Sequence, residues 1–122
     1  MRTESVLSQN YVAGNQMPVP ASEARVEGIG VNPLDLRRVD VAVDLTSCRE
    51  PLTVKMAIVG PDDEEWSSTA ILQNRDSMLD RVLHLKRDAI DGEYTLHVGL
   101  FREEDLLYRT SKRYVYPPLP TE

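Results

Sequence analysis

The stretch Asp91-Gly92-Glu93-Tyr94-Thr95-Leu96-His97-Val98-Gly99-Leu100 runs from a turn signal straight into alternation. Tyr94, Leu96, Val98 and Leu100 fall on one face, and Thr95, His97 and Gly99 on the other. A two-residue period marks a strand with one buried face. Leu83-His84-Leu85-Lys86, just upstream, alternates too, and Arg87-Asp88-Ala89-Ile90 bridges the two segments. Strand, crossing loop, Gly-x-Tyr, strand is a common way for a two-sheet sandwich to pass from one layer to the other.

Working outward from this pair, turn signals divide the chain into about seven strand segments, the density of an antiparallel sandwich or barrel. The first covers 24–31, with Val26 inward, and Asn32-Pro33-Leu34-Asp35 breaks it. The second covers 38–45 and alternates most cleanly, with Val39, Val41, Val43 and Leu45 inward. The third covers 52–59, with Leu52, Val54, Met56 and Ile58 inward. A polar loop, Gly60-Pro61-Asp62-Asp63-Glu64-Glu65, leads into a fourth over 66–73, and a fifth covers 78–86. Met78, Leu79, Val82 and Leu83 also fit one face of a short helix that Ser77 could cap. The strand reading is preferred because Leu83 and Leu85 continue the alternation. The seventh strand covers 107–116. There Tyr108, Thr110, Lys112, Tyr114 and Tyr116 share one parity, and the charge at Lys112 predicts a bulge that switches register.

The two ends differ from this middle. Residues 1–22 show no sustained period and are expected to form a flexible arm, or a docking arm that uses Tyr11, Val12, Met17 and Val19. Residues 23–117 form the expected sandwich domain. Pro117, Pro118 and Pro120 cannot join a ladder, so 118–122 is expected to be an extended tail.

Composition narrows the function classes. The 122 residues suit one domain and one core, and 41% hydrophobic with 28% charged residues is ordinary globular composition. A formal charge of −6 argues against nucleic acid and against an anionic membrane as partners. No apolar run approaches the ~20 residues that span a bilayer, and the first residues lack the apolar core of a secretory signal. One cysteine, Cys48, leaves no internal disulfide. A cytoplasmic setting is the expectation these features support.

No motif in the chain carries chemistry. Cys48 has Arg49 beside it, which can lower a thiol pKa, but a nucleophile also needs a base. The two histidines, His84 and His97, are predicted to point outward from strands in different sheets. The acidic runs Asp62-Asp63-Glu64-Glu65 and Glu103-Glu104-Asp105 lack calcium-loop spacing and read as hydrophilic hairpin tips. Neither zinc-ligand spacing nor a phosphate-binding glycine loop occurs, so no metal or cofactor is expected. Tyr94 occupies the place of a corner tyrosine, whose hydroxyl bonds loop backbone. Trp66, Phe101, Tyr108, Tyr114 and Tyr116 are the candidate binding residues. Exposed, they would make a stacking platform for a sugar or a patch for a protein; buried, they fill sheet ends and cross-strand pairs.

The run Gly92 to Leu100, followed by Leu106-Leu107 and a closing strand, resembles bacterial immunoglobulin-like and fibronectin type III-like sandwiches. It is also similar to the sugar-binding domain that ends some O-antigen polysaccharide export ATPases. The resemblance implies an immunoglobulin-like antiparallel β-sandwich over roughly 24–116. The paired cysteines of immunoglobulin domains are missing: Val41 or Val43 and Leu96 or Val98 stand where they would be expected. The sequence therefore points to a non-catalytic interaction or accessory module that binds a protein partner or itself. The alternative is a carbohydrate-binding module using Trp66 and the C-terminal tyrosines, with an enzyme a distant third.

Overall fold

The computed structural model describes residues 17–118. Residues 1–16 of the expected arm and 119–122 of the expected tail lie outside that range. Seven strands follow in order: β1 Val26–Pro33, β2 Arg38–Leu45, β3 Leu52–Val59, β4 Glu65–Asn74, β5 Met78–His84, β6 Gly92–Arg102 and β7 Asp105–Tyr116. They form two antiparallel sheets, one ordered β1-β2-β5 and the other β4-β3-β6-β7. The sheets stack so that β1 lies against β7 and β4 against β5. Among the described residues no helix is long and apolar enough to cross a membrane.

The core is the sum of the inward parities. Val39, Val41 and Val43 from β2 meet Val54, Met56 and Ile58 from β3 and Leu96, Val98 and Leu100 from β6, all buried. At ~25 cal/mol per Å2 of apolar surface, a layer of such side chains is what holds two sheets together. β5 shows why period two defeats the helical alternative. Leu79 and Leu83 pair across from Val43 and Val39 and are buried, whereas Met78 and Val82 point away from the core. A helix would have put all four on one face.

Three segments depart from the sequence expectation. β1 runs on through Pro33, because it is an edge strand and its proline needs no ladder donor there. β5 stops at His84 rather than at 86. Leu85 N–H donates to Arg37 O, and Lys86 N–H to Trp66 O, so the chain has already begun to cross between sheets. β7 keeps one register from Tyr116 to Tyr108, and its irregularity falls beside Leu106 instead of Lys112. Lys112 shares the inward parity because the seam beside it is open. Its Nζ donates to Ile29 O of β1 at 3.0 Å, tying the two sheets at their edges. Before β1, Val19 is bridged to Cys48, and Ala21 is buried in a 3-10 turn.

The crossing loop is pinned as the corner tyrosine predicts. The Tyr94 hydroxyl donates to Ile90 O at 2.8 Å and accepts from Ile90 N–H at 2.9 Å. Tyr114 stacks on Tyr94, with ring centroids 5.3 Å apart, but its own buried hydroxyl has no partner among the described residues. Burial, with the neighbouring Tyr94, pushes the Tyr114 hydroxyl well above the usual phenol range. The two rings therefore respond oppositely to loss of oxygen. Tyr94→Phe orphans two backbone groups and is expected to cost about 2 kcal/mol in urea unfolding, whereas Tyr114→Phe is neutral or stabilising by up to ~1 kcal/mol. Equal effects of the two substitutions would contradict this assignment.

Candidate binding face

The sequence-predicted aromatic residues do not come together on the surface. Trp66 is only 1% exposed, which corrects its reading as a surface platform. A register shift between Ile58 and Val59 turns the indole inward, edge-on to Tyr94 at 5.5 Å. Its Nε1–H donates to Asp62 Oδ1 at 2.9 Å, and the Arg87 guanidinium sits 4.3 Å over the ring. The same Asp62 oxygen accepts from Glu64 N–H, and the other forms an ion pair with Arg87. The indole hydrogen bond, helped by the Glu64 N–H and the Arg87 charge, holds the Asp62 carboxyl below the usual carboxylate range. The first acidic loop thus has a structural member. Tyr108, Tyr114 and Tyr116 are half-buried on the inner parity of β7, against the core. The Arg25 guanidinium lies 5.3 Å over Tyr108. Of the five candidates, Phe101 alone stands on the outer parity of the larger sheet.

The register of β4-β3-β6-β7 builds a face around Phe101. Thr53 and Leu106 flank it on the neighbouring strands. One row further along stand Ala70, Lys55, Gly99 and Arg109, and beyond them Ser68, Ala57, His97 and Ser111. Gly99 makes the floor: a Cβ there would lie 2.9 Å from Phe101 Cε1 and 3.6 Å from Leu106 Cδ1. Because glycine has no side chain, the ring can fold down over the sheet. Lys55 Nζ then lies 4.5 Å from the ring centroid, a cation–π distance. The small residues leave an open depression of about 430 Å3, with Phe101 at one end, Glu65 at the other, and Lys55, His97 and Arg109 along it. Among the described residues none of Lys55, His97 and Arg109 forms an ion pair.

The outer face of the smaller sheet has the opposite character. Asp40, Asp44 and Asp80 stand among Gly28, Gly30 and Ala42. A hydrogen bond with Asp80, reinforced by burial and by the like charge, raises the Asp40 carboxyl above its ordinary range. The smaller sheet thus presents three carboxylates on its outer face, where the larger sheet presents Phe101 with Lys55 and Arg109.

Reactive groups are scattered by the same registers. Cys48 lines a crevice of only about 20 Å3 between the sheet ends. His97 belongs to the depression on β6, and His84 to another hollow beside Arg38 on β5. Ser68 and His97 share the depression but flank Ala57, two strand spacings or about 10 Å apart. No hydrogen bond joins them. Among the described residues no three His, Cys, Asp or Glu side chains converge as a metal site. What the arrangement offers is contact area and positive charge. Outward parity at Phe101, Lys55 and His97 was readable from the alternation, but Arg109 joins them only through the β6–β7 register. Compared with known families and curated proteins, the chain matches no family model and no curated sequence.

Proposed function

We propose that this chain is a non-catalytic interaction module that binds an acidic, partly apolar protein segment on the outer face of β4-β3-β6-β7. One observation carries the reading: on a chain of net charge −6, Lys55 and Arg109, neither in an ion pair among the described residues, stand with His97 around a single outward aromatic, while the carboxylate that lines the same depression, Glu65, lies at the opposite end from Phe101. Desolvated aromatic and cationic groups at the centre of a patch are where binding energy concentrates. The strand sets β1-β2-β5 and β4-β3-β6-β7, with the bonded Tyr94 corner, support placing the fold in the immunoglobulin-like class. Carbohydrate binding has less support, since four of the five aromatics it would use pack against the core.

Selection from a random peptide library tests the proposal. Enriched peptides should carry acidic residues beside an apolar one and should bind more weakly as salt rises. Phe101→Ala and Lys55→Glu should each weaken the selected peptides by about tenfold with the melting curve little changed. Peptides that bind both variants as well as the parent would refute the assignment, and so would enrichment of basic sequences. Strong hits on a glycan array that Phe101→Ala removes would favour the carbohydrate reading instead.

A further inference from the structure

The outer face of the smaller sheet complements that of the larger one. β2 places Asp40, Ala42 and Asp44 outward, β5 places Met78, Asp80 and Val82 outward, and β1 adds Gly28 and Gly30 beside them. Met78 is 74% exposed and Val82 44%, so two apolar side chains stand among three carboxylates. Asp40 and Asp80 crowd each other closely enough to share a hydrogen bond. Among the described residues none of Asp40, Asp44 and Asp80 forms an ion pair. The cations of the same strands are engaged elsewhere: Arg38 bonds the Asp35 carboxylate, and Arg81 bonds the Asp80 backbone carbonyl.

The larger sheet carries the opposite charge around Phe101, with Lys55 and Arg109 over a floor of Ala57, Ala70 and Gly99. Its own carboxylates, Glu65 and the Arg113-paired Glu93, stand at the end remote from Phe101. The inner faces of the two sheets meet in the core, so these outer faces look in opposite directions. A contact between them is heterologous: it leaves one face of each kind free and extends as a stack rather than closing at two chains. We propose that copies of this chain stack head to tail, the Asp40, Asp44 and Asp80 face of one against the Phe101, Lys55 and Arg109 face of the next. The proposal rests on reading the larger sheet as a site for an acidic, partly apolar segment, and it names a second copy as the partner. Small residues in the middle of both faces let the sheets approach toward the ~10 Å spacing of stacked sheets. Lys55 and Arg109 then bring positive charge to the crowded carboxylates, and Phe101 meets the apolar pair on β5. The net charge of −6 opposes the approach at long range, but ~0.15 M salt screens it beyond about 8 Å and screens contacting groups less. Size sets the strength. Strands of 7 or 8 residues in a three-stranded sheet cover roughly 14 by 25 Å, about 350 Å2. A stable complex buries about 800 Å2 on each partner, so the association is weak, on the order of 0.1 mM.

Light scattering on the full chain from about 10 μM to about 1 mM, in ~0.15 M salt, gives the first test. The mean mass should climb from the 13.8 kDa of one chain without levelling at two chains. Charge reversal then reads the two faces. Lys55→Glu with Arg109→Glu reverses the larger sheet, and Asp44→Lys with Asp80→Lys reverses the smaller one. All four positions are exposed, so folding is preserved. Each pair of changes should weaken association by about tenfold, and a chain carrying all four should associate again. A contact between like faces would not be restored in this way. The Asp44→Lys, Asp80→Lys chain keeps the larger face intact and should still bind the selected acidic peptides. A parent that stays monomeric to about 1 mM overturns the stacking proposal. So does a mass that levels at two chains, or a fourfold variant that stays apart. If the parent stays monomeric while that chain binds the peptides, only the stacking falls. Failure of both chains to bind any acidic peptide overturns the underlying reading itself.

Discussion

Trp66→Ala is expected to lower the free energy of unfolding by about 3–5 kcal/mol, the usual cost of emptying a large aromatic site. The indole is fully enclosed, and three interactions end with it: the edge contact to Tyr94, the bond to Asp62 and the stacking of Arg87. A domain of this size has roughly 5–15 kcal/mol in total, so the variant should sit near its unfolding threshold at moderate temperature. Urea titration followed by far-UV circular dichroism measures this, since the chain's one tryptophan is no longer there to report. Trp66→Phe should recover a large part of the loss. The pH dependence should change as well. The folded state lowers the Asp62 pKa, so this group's contribution is present above the unfolded carboxylate pKa and is lost as pH falls through the folded value. Removing the indole N–H should therefore flatten part of the acid limb of the stability curve. A loss below ~1 kcal/mol for Trp66→Ala would show that the indole is not a core element. Loss of ligand binding in this variant would report unfolding rather than a missing contact.

Gly60→Ala comes next, with an expected cost of about 2–3 kcal/mol from overpacking. Gly60 is buried at the end of β3, directly against the indole. A Cβ there would lie 2.7 Å from Trp66 Cε2 and 2.8 Å from Cδ1, against a ring that Tyr94, Asp62 and Arg87 hold in place. The methyl group has nowhere to go unless the ring moves. The two sites must therefore be coupled. In a Trp66→Ala background the same methyl enters vacated space, and its cost should fall to near zero or change sign. A double-mutant cycle in urea reads this directly, and additive effects would contradict the packing described. Gly92 is constrained differently. Its φ of +147° favours glycine, and a Cβ there would meet Pro61 Cγ at 2.7 Å.

The division of the molecule into strands was legible because alternation is a local property. Burying one face of a pleated strand requires every second residue to be apolar, and β2 and β3 match their predicted limits. Tyr94 was legible for a related reason: Gly92 and the crossing segment before it lie in the same short stretch of chain. Trp66 could not be placed this way. Its burial follows from the register shift after Ile58 and from Asp62 and Arg87, which approach from two different loops.

Composition and periodicity by themselves determined that this chain forms an antiparallel, two-layered β protein, because the two-residue period is written in consecutive residues. Only the tertiary structure decided which strands share a sheet, that Phe101 stands apart from the tyrosines, and that Lys55 and Arg109 join it. Those outcomes depend on register between segments distant in the chain, and a single-residue slip would move each of these side chains to the opposite face.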